Sequence, residues 1–182
     1  MIYDNALHFV IDIETLGITV RAPILQIGVV AYFKGNIETV YNSKVISLDS
    51  NFKANQSCVD KDTVLWLDKN NKELLVGCLT SKKSLDEEIY YLHRSINRYK
   101  TRYPVPSYYW AKSPSFDLAI LSNAYKNVDF NEDPHWNYKT ERDIRTIEPI
   151  VSCKYKNECP HDALSDAMYE AKVLGEFIKT CS

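Results

Sequence analysis

Two long runs of apolar residues near the N-terminus predict buried strands. Residues 7–14 and 24–33 are rich in β-branched and aromatic side chains, which is typical of the central strands of a sheet. A third strand is predicted over residues 37–48, because residues 34–36 read Lys-Gly-Asn and suit a hairpin turn. The chain therefore opens as a meander of three strands.

The pattern changes after residue 60 to one that is typical of amphipathic helices. Residues 62–69 and 72–79 predict two short helices, and residues 84–99 predict a longer one whose apolar residues recur at steps of four and three. Ser84 and Glu87 have the spacing of a capping box at the start of this helix. The longer helix should therefore bury one stripe of its surface.

The rest of the chain alternates between strand and helix. A fourth strand is predicted over residues 107–111, a helix over 116–126 and a final helix over 160–179, whereas 137–150 has a weaker pattern. Strands followed by alternating helix and strand indicate an α/β protein, with a mixed β-sheet flanked by helices. The sequence contains no repeat and no linker, which predicts one domain over residues 1–182.

The composition is that of an ordinary globular protein. Of the 182 residues, 45% are hydrophobic and 25% are charged, and the formal net charge is -2. These values exclude a disordered, collagen-like or coiled-coil chain, and they neither predict nor exclude nucleic acid as a partner. The first residues lack a signal-peptide pattern and no apolar run approaches the roughly 20 residues that span a bilayer, so we expect a cytoplasmic protein with no membrane partner.

Asp12 and Glu14 are the first candidates for chemistry. Side chains on a strand alternate with a period of two, so these carboxylates should lie on one face near the end of the first strand. Neighbouring anions repel each other, and hard oxygen ligands on a rigid strand suit Mg2+ or Mn2+. The alternative is a solvated strand end that binds nothing.

Asp117 is the second candidate. In a helix over residues 116–126 it shares the apolar stripe with Ile120, Leu121 and Ala124. A charge on a buried stripe needs a partner, because burying it unpaired is costly. The alternative role for Asp117 is to cap the N-terminus of the helix.

His161 and Asp166 are the third candidates. Their separation of five positions is about 140° around a helix, so they cannot share a face if both are helical. We therefore expect His161 at the start of the final helix, reaching the same cleft from the side. Ala163 and Ala167 flank Asp166 and are small enough to let this helix approach the sheet. Taken singly, a capping or core role for His161 and a surface position for Asp166 remain the alternatives.

These features, in this order, resemble a known superfamily. An Asp-x-Glu on the first strand, a Phe-Asp in a later helix and a His-x4-Asp before the last helix are similar to the DEDDh exonucleases, which have a ribonuclease-H-like fold. More narrowly, the chain resembles the family that joins bacteriophage exonuclease A with the mycobacterial exoribonuclease RNase AS. The stretches that carry this narrower resemblance are residues 12–17, 26–28, 63–66, 142–146 and 161–166.

The resemblance implies a metal-dependent 3'-5' exonuclease that releases nucleoside monophosphates from single-stranded nucleic acid. Two divalent cations, Mg2+ or Mn2+, would be held by four carboxylates, and His161 would act as the general base. If the protein is phage-encoded, it would work in the host cytoplasm. The implied catalytic residues are Asp12, Glu14, Asp117, His161 and Asp166, and the implied metal ligands are Asp12, Glu14, Asp117 and Asp166.

Substrate contacts are expected at Thr15 and Leu16, which the superfamily places against the terminal nucleotide, and at Trp66. The indole of Trp66 suits either stacking on a base or packing in the core. Family members often carry Glu-Trp-Trp where this chain has Leu65-Trp66-Leu67, so one aromatic of the expected substrate wall is missing.

Two other functions are compatible with the same residues. One is a non-catalytic nucleic-acid-binding domain of the same fold, and the other is a metal phosphodiesterase that acts on short oligonucleotides. The sequence leaves open whether the substrate is RNA or DNA and whether the protein forms a homodimer.

Overall fold

The apolar N-terminal segments form the centre of a five-stranded mixed sheet in the computed structural model, which describes residues 5–152, 154–157 and 159–181. The sheet order is β3-β2-β1-β4-β5, with β1, β2 and β3 antiparallel and with β4 and β5 parallel to β1. This arrangement confirms the predicted α/β fold class. The strands are β1 (Leu7–Thr15), β2 (Ile24–Phe33), β3 (Asn36–Asn42), β4 (Ser107–Ala111) and β5 (Glu141–Asp143).

Helices flank this sheet, and most of them lie where the apolar periodicity predicts them. None of the helices among the described residues combines the length and the apolar character needed to cross a lipid bilayer. A short 3-10 helix, Glu148–Ile150, follows α6 directly. The α-helices are α1 (Leu48–Lys53), α2 (Lys61–Asn70), α3 (Lys72–Thr80), α4 (Leu85–Arg102), α5 (Asp117–Asn127), α6 (Ile144–Ile147) and α7 (Ala163–Thr180).

Alternate residues of β1 face two different hydrophobic clusters. Phe9 and Ile11 pack in the cluster that contains residues of α4 and α5, whereas Val10 packs in the cluster that contains residues of α7. Because strand side chains alternate, Asp12 and Glu14 share the face of Val10. The first strand thus turns its two carboxylates toward the side of the sheet that α7 covers.

The third strand is shorter than predicted, and α1 occupies part of the segment assigned to it. β3 ends at Asn42, and the hydroxyl of Ser43 then accepts a hydrogen bond of 2.8 Å from the backbone N–H of Ile27. The side chain of Ser47 caps α1 by accepting from the N–H of Ser50. The predicted strand over residues 37–48 is therefore wrong beyond Asn42. The N–H groups of Ser43 and Ile46 still donate to the carbonyls of Ile27 and Leu25, but no continuous strand forms and Ser47 starts α1.

The predicted capping box at the start of α4 is also wrong. Ser84 occupies the N-cap position, but its side chain makes no capping hydrogen bond and donates instead to Asp86. The N–H of Leu85 donates to the hydroxyl of Ser50, at 2.8 Å. A residue of α1 thus satisfies an N–H of α4 that the local sequence leaves free.

The start of α7 lies very close to β2. The helix begins at Ala163 rather than at residue 160, because the carboxylate of Asp162 accepts from the N–H of Ser165 at 2.9 Å and caps it there. A methyl group added at Gly28 would lie 2.3 Å from the backbone carbonyl of Ala163. Only a glycine at this position of β2 therefore admits the backbone of α7 at its present distance.

Replacement of Gly28 by alanine should destabilise the protein, because α7 or β2 must move to make room. We expect a loss of about 1 to 3 kcal/mol in the free energy of unfolding, measured by urea denaturation. Gly77→Ala in α3 is the matched control, since its added methyl would lie 3.4 Å from the side chain of Val45, and it should be neutral or stabilise by up to about 1 kcal/mol. Equal stability of Gly28→Ala and the unchanged protein would contradict the close approach.

Candidate functional site

Asp12 and Glu14 lie at the carboxyl end of β1, opposite Gly28 and Gln26 of β2. Burial is the main cause that raises the pKa of Asp12 well above its ordinary value, and the nearby charge of Asp117 adds to it. Burial also raises the pKa of Glu14 to about 8, followed by repulsion from Asp166 and Asp117. Both carboxylates are therefore in an environment that disfavours negative charge.

Asp117 is the first residue of α5 and is 4% exposed. The N–H of Ile13 in β1 donates to its carboxylate at 3.3 Å, so the side chain bridges the helix and the central strand. Burial raises the pKa of Asp117 to about 7, while the hydrogen bond from Ile13 and the charge of Arg145 act in the opposite direction. The carboxylate of Asp143 caps the N-terminus of α6 by accepting a hydrogen bond of 2.8 Å from the backbone N–H of Arg145.

Asp166 lies in the first turn of α7, and both of its carboxylate oxygens accept hydrogen bonds. The backbone N–H of His161 donates to one oxygen at 2.8 Å, and the side-chain amide of Asn157 donates to the other. Burial raises the pKa of Asp166, although these donors oppose the shift. The segment before α7 thus folds back onto the carboxylate and fixes its direction.

His161 lies just before α7, at the side of the cleft. Its backbone has a φ of 67°, in the left-handed region that few residues other than glycine adopt. The side chains of Glu14, His161 and Asp166 each offer one ligand atom, and these atoms all lie within 4.8 Å of one another. The structure therefore brings together residues that are far apart in the sequence.

Trp66 contacts His161 directly and does not belong to the core. Its side chain is 41% exposed, and its ring meets the imidazole edge-on, with the ring centres 4.5 Å apart and the planes at 82°. Asn71, at the junction of α2 and α3, donates its side-chain amide to the carbonyl of His161 at 2.9 Å. The α2–α3 pair therefore contacts His161 through both Trp66 and Asn71.

Leu67 points away from the cleft. It is 1% exposed and packs with Leu16, Leu25, Leu74 and Cys78 in a third hydrophobic cluster. Position 67, where the resemblance leads us to expect a second tryptophan, thus faces the core in this chain. The chain therefore presents the exposed indole of Trp66 without a second aromatic from position 67.

Thr15 and Leu16, the other expected substrate contacts, have their side chains in internal contacts. The hydroxyl of Thr15 donates to the carbonyl of Gly17 at 2.8 Å, and Leu16 is 1% exposed. Thr15 is the last residue of β1 and Leu16 follows it, so both lie within two residues of Glu14. Their contact with a nucleotide stays a prediction.

Several residues of the site were not singled out as candidates by the sequence analysis. Gln26 links β2 to the start of α7, since its side chain donates to Asp162 at 3.0 Å and accepts from the N–H of Ala163 at 3.3 Å. Glu170 is buried on α7, and its spacing of four residues from Asp166 was the signal that could have found it. For Asn71 and Asn157 no sequence pattern points to the site, because their partners depend on how the loops fold.

The donor set suits a hard divalent cation. The carboxylates of Asp12, Glu14, Asp117 and Asp166 come from β1, α5 and α7, and burial raises the pKa of every one of them. Carboxylate oxygens are the ligands that Mg2+ and Mn2+ prefer, and a bound cation would offset the repulsion that the four groups exert on one another. The residues present therefore fit such an ion.

Comparisons with known proteins point to nucleases. The sequence model of a family described as the 3'-5' exoribonuclease Rv2179c-like domain matches residues 7–178. The crystal structure of cell-death related nuclease 4 has the same fold, with a TM-score of 0.57 and 13% sequence identity over 98% of this chain. This chain spans 66% of the length of that nuclease. No curated protein sequence matches the chain significantly.

In the absence of divalent cations, the protein should lose stability as the pH rises. Burial raises the pKa of Glu14 from 4.5 to about 8 and that of Asp117 from 3.8 to about 7. Between these values the folded protein binds more protons than the unfolded chain, so the free energy of unfolding decreases with increasing pH. Thermal melts in EDTA should show the melting temperature falling from about pH 5 to about pH 8.

The same melts with Mg2+ provide the control for this expectation. A cation that binds only the folded protein, in competition with protons, should raise the melting temperature more at high pH than at low pH. A melting temperature that stays constant or rises across this range in EDTA would contradict the raised pKa values of Glu14 and Asp117 in the folded protein.

Proposed function

The chain belongs to the family of 3'-5' exoribonuclease Rv2179c-like domains, and from this membership we propose that it removes nucleotides one at a time from the 3' ends of single-stranded RNA. The observation that carries the proposal is the convergence of Glu14 from β1 and Asp166 from α7 beside His161, with Asp117 of α5 bonded to the same strand. The family description favours RNA over DNA as the substrate. All five residues that the DEDDh resemblance implies are present in this chain.

Asp12, Glu14, Asp117 and Asp166 would hold two divalent cations, Mg2+ or Mn2+. When bound, a pair of such ions stabilises the attacking and the leaving oxygen of an in-line phosphoryl displacement. The protein supplies the rigid frame for them, since Asp117 is tied to β1 through the N–H of Ile13 and Asp166 is held by His161 and Asn157. The arrangement needs little reorganisation before reaction, which is the condition for efficient electrostatic catalysis.

His161 is the general base of the proposed mechanism. Its side chain is exposed beside the carboxylates of Glu14 and Asp166, so it can take the proton of an attacking water molecule and pass it to solvent. Histidine is the side chain that enzymes use most often for this task. The contacts with Trp66 and Asn71 support the position of the residue, although its backbone is in the left-handed region.

The exposed indole of Trp66 would stack on a base near the 3' end. Such stacking contributes about 1 to 3 kcal/mol per base and tolerates every sequence. A base that stacks on a side chain must leave the helical stack of a duplex, so the proposal favours single strands or frayed ends. Because Trp66 contacts His161, the bound nucleotide would lie next to the proposed general base, His161.

The decisive assay uses a 5'-labelled single-stranded RNA with purified protein. We expect a ladder of shortened labelled products in Mg2+ or Mn2+, no products in EDTA, and little reaction when the 3' end is blocked by phosphate. Asp12→Asn should lower the rate by several orders of magnitude, because it removes a carboxylate of the proposed metal site. Asp49→Asn, in an exposed ion pair with Lys53, is the control and should retain full activity.

Three results would contradict the proposed function. Full activity of Asp12→Asn would contradict the proposed metal site. Efficient cutting of a circular strand would show that the protein is an endonuclease. Binding of RNA without any hydrolysis in either metal would favour the non-catalytic alternative. A parallel assay with DNA of the same sequence tests the substrate class, and we expect RNA to be degraded faster.

Replacement of His161 by alanine should lower turnover by about 100- to 10,000-fold, since it removes the proposed general base. Mn2+ binding should change much less than turnover, because His161 is not one of the proposed metal ligands. A parallel loss of metal affinity and activity would show instead that His161 binds the metal or maintains the fold.

A further inference from the structure

Glu170 is an acidic residue in the middle of the buried face of α7. It follows Asp166 by four positions, so the two side chains lie about 40° apart around the helix and project from the same face. Glu170 is 3% exposed, and its neighbours Ala167 and Ala171 are fully buried against the sheet. A carboxylate at this place lies where packing alone would favour an apolar residue.

Within the described part of the chain, one oxygen of this carboxylate has no hydrogen-bond partner. Oε2 of Glu170 is buried, and it has no hydrogen-bond partner among the described residues. Buried polar atoms in native proteins are hydrogen-bonded in the great majority of cases, and an unpaired buried charge is costly. The unpaired oxygen therefore indicates a site for a cation or a hydrogen-bond donor.

Glu170 lies close enough to the acidic residues of the site for their charges to act on it. After burial, repulsion from Asp117 is the largest cause that raises the pKa of Glu170, and Asp166 adds to it. Glu170 in turn contributes to the raised pKa of Asp12. Its carboxylate thus lies near acidic residues from β1, α5 and α7.

Lys112 is the competing explanation for Glu170, because its positive charge favours the ionised carboxylate. The ammonium group of Lys112, however, binds Glu148 at 2.8 Å. Within the described residues the structure has no ion pair between Lys112 and Glu170. Lys112 therefore offsets part of the negative charge without occupying the unpaired oxygen.

The geometry points to Glu170 as a fifth carboxylate ligand of the divalent-cation site, in addition to Asp12, Glu14, Asp117 and Asp166. The inference rests on the proposed function, since it assigns a further ligand to the same site. The unpaired Oε2, the shared helix face with Asp166 and the burial of the side chain support it. A cation bound there would satisfy the oxygen that no donor among the described residues reaches.

The test measures Mn2+ binding to the purified full chain, by the loss of the electron-paramagnetic-resonance signal of free Mn2+. Glu170→Gln should weaken binding by about 10- to 100-fold, as removal of groups that support a metal site does in other proteins. Glu176→Gln is the matched control on the same helix, since Glu176 pairs with Lys179 near the surface, and it should bind Mn2+ like the unchanged protein. Circular dichroism should show that both variants retain the fold.

A second measurement avoids the risk that Glu170→Gln does not fold. A crystal of the unchanged protein grown with Mg2+ should show an oxygen of Glu170 at coordination distance, about 2.1 Å, from an ion. If Glu170→Gln is folded and binds Mn2+ as tightly as Glu176→Gln, or if the ion lies away from Glu170, the inference is overturned.

The outcomes separate this inference from the proposed function. Tight Mn2+ binding by the unchanged protein that is lost in Asp12→Asn and retained in Glu170→Gln would leave the proposed function standing and overturn only the fifth ligand. Absence of Mn2+ binding by the unchanged protein would overturn both. Loss of affinity in both variants, with Glu176→Gln unchanged, is the expected result.

Discussion

Negative charge gathered in a half-buried cleft is the constraint on which the rest of the structure depends. Carboxylates from β1, α5 and α7 face one another, and burial raises the pKa of each. Repulsion between like charges is stronger in such a medium than in water, so it opposes the assembly of these three elements. The apolar clusters on the two sides of β1 must therefore supply the free energy that holds the acidic residues together.

The contact between α7 and β2 places Asp166 within this cleft. Gly28 lets the backbones approach, and Gln26, two residues earlier on the same strand, hydrogen-bonds with both Asp162 and Ala163 at the start of the helix. β2 pairs with the central strand, and Gly28 and Gln26 lie opposite Asp12 and Glu14. The contact of α7 with β2 therefore also fixes the position of α7 relative to these two carboxylates. One short stretch of β2 thus sets the distance between the acidic groups of the strand and those of the helix.

The segment that carries His161 is held from two sides. Asp166 accepts its N–H, and Asn71 donates to its carbonyl, while the ring of Trp66 lies against the imidazole. A left-handed backbone at a residue other than glycine costs free energy and persists where the surroundings impose it. Here the surroundings are α7 on one side and the α2–α3 pair on the other, so a movement of either would also move the histidine. In the proposed function, this connects the surface that stacks a base with the group that takes the proton.

The sequence by itself determined the order and type of most elements, because hydrophobic periodicity is a local property of the chain. It also placed Asp12 and Glu14 on one face, since a period of two is sufficient for that, and it put His161 before the helix that carries Asp166. Only the tertiary structure decided that Trp66 contacts His161, that a serine of α1 bonds to the start of α4, and that Glu170 has an unpaired oxygen in the acidic cleft. Each of these depends on residues that are distant in sequence and meet only when the packed sheet and helices fix their separation, which no local pattern encodes.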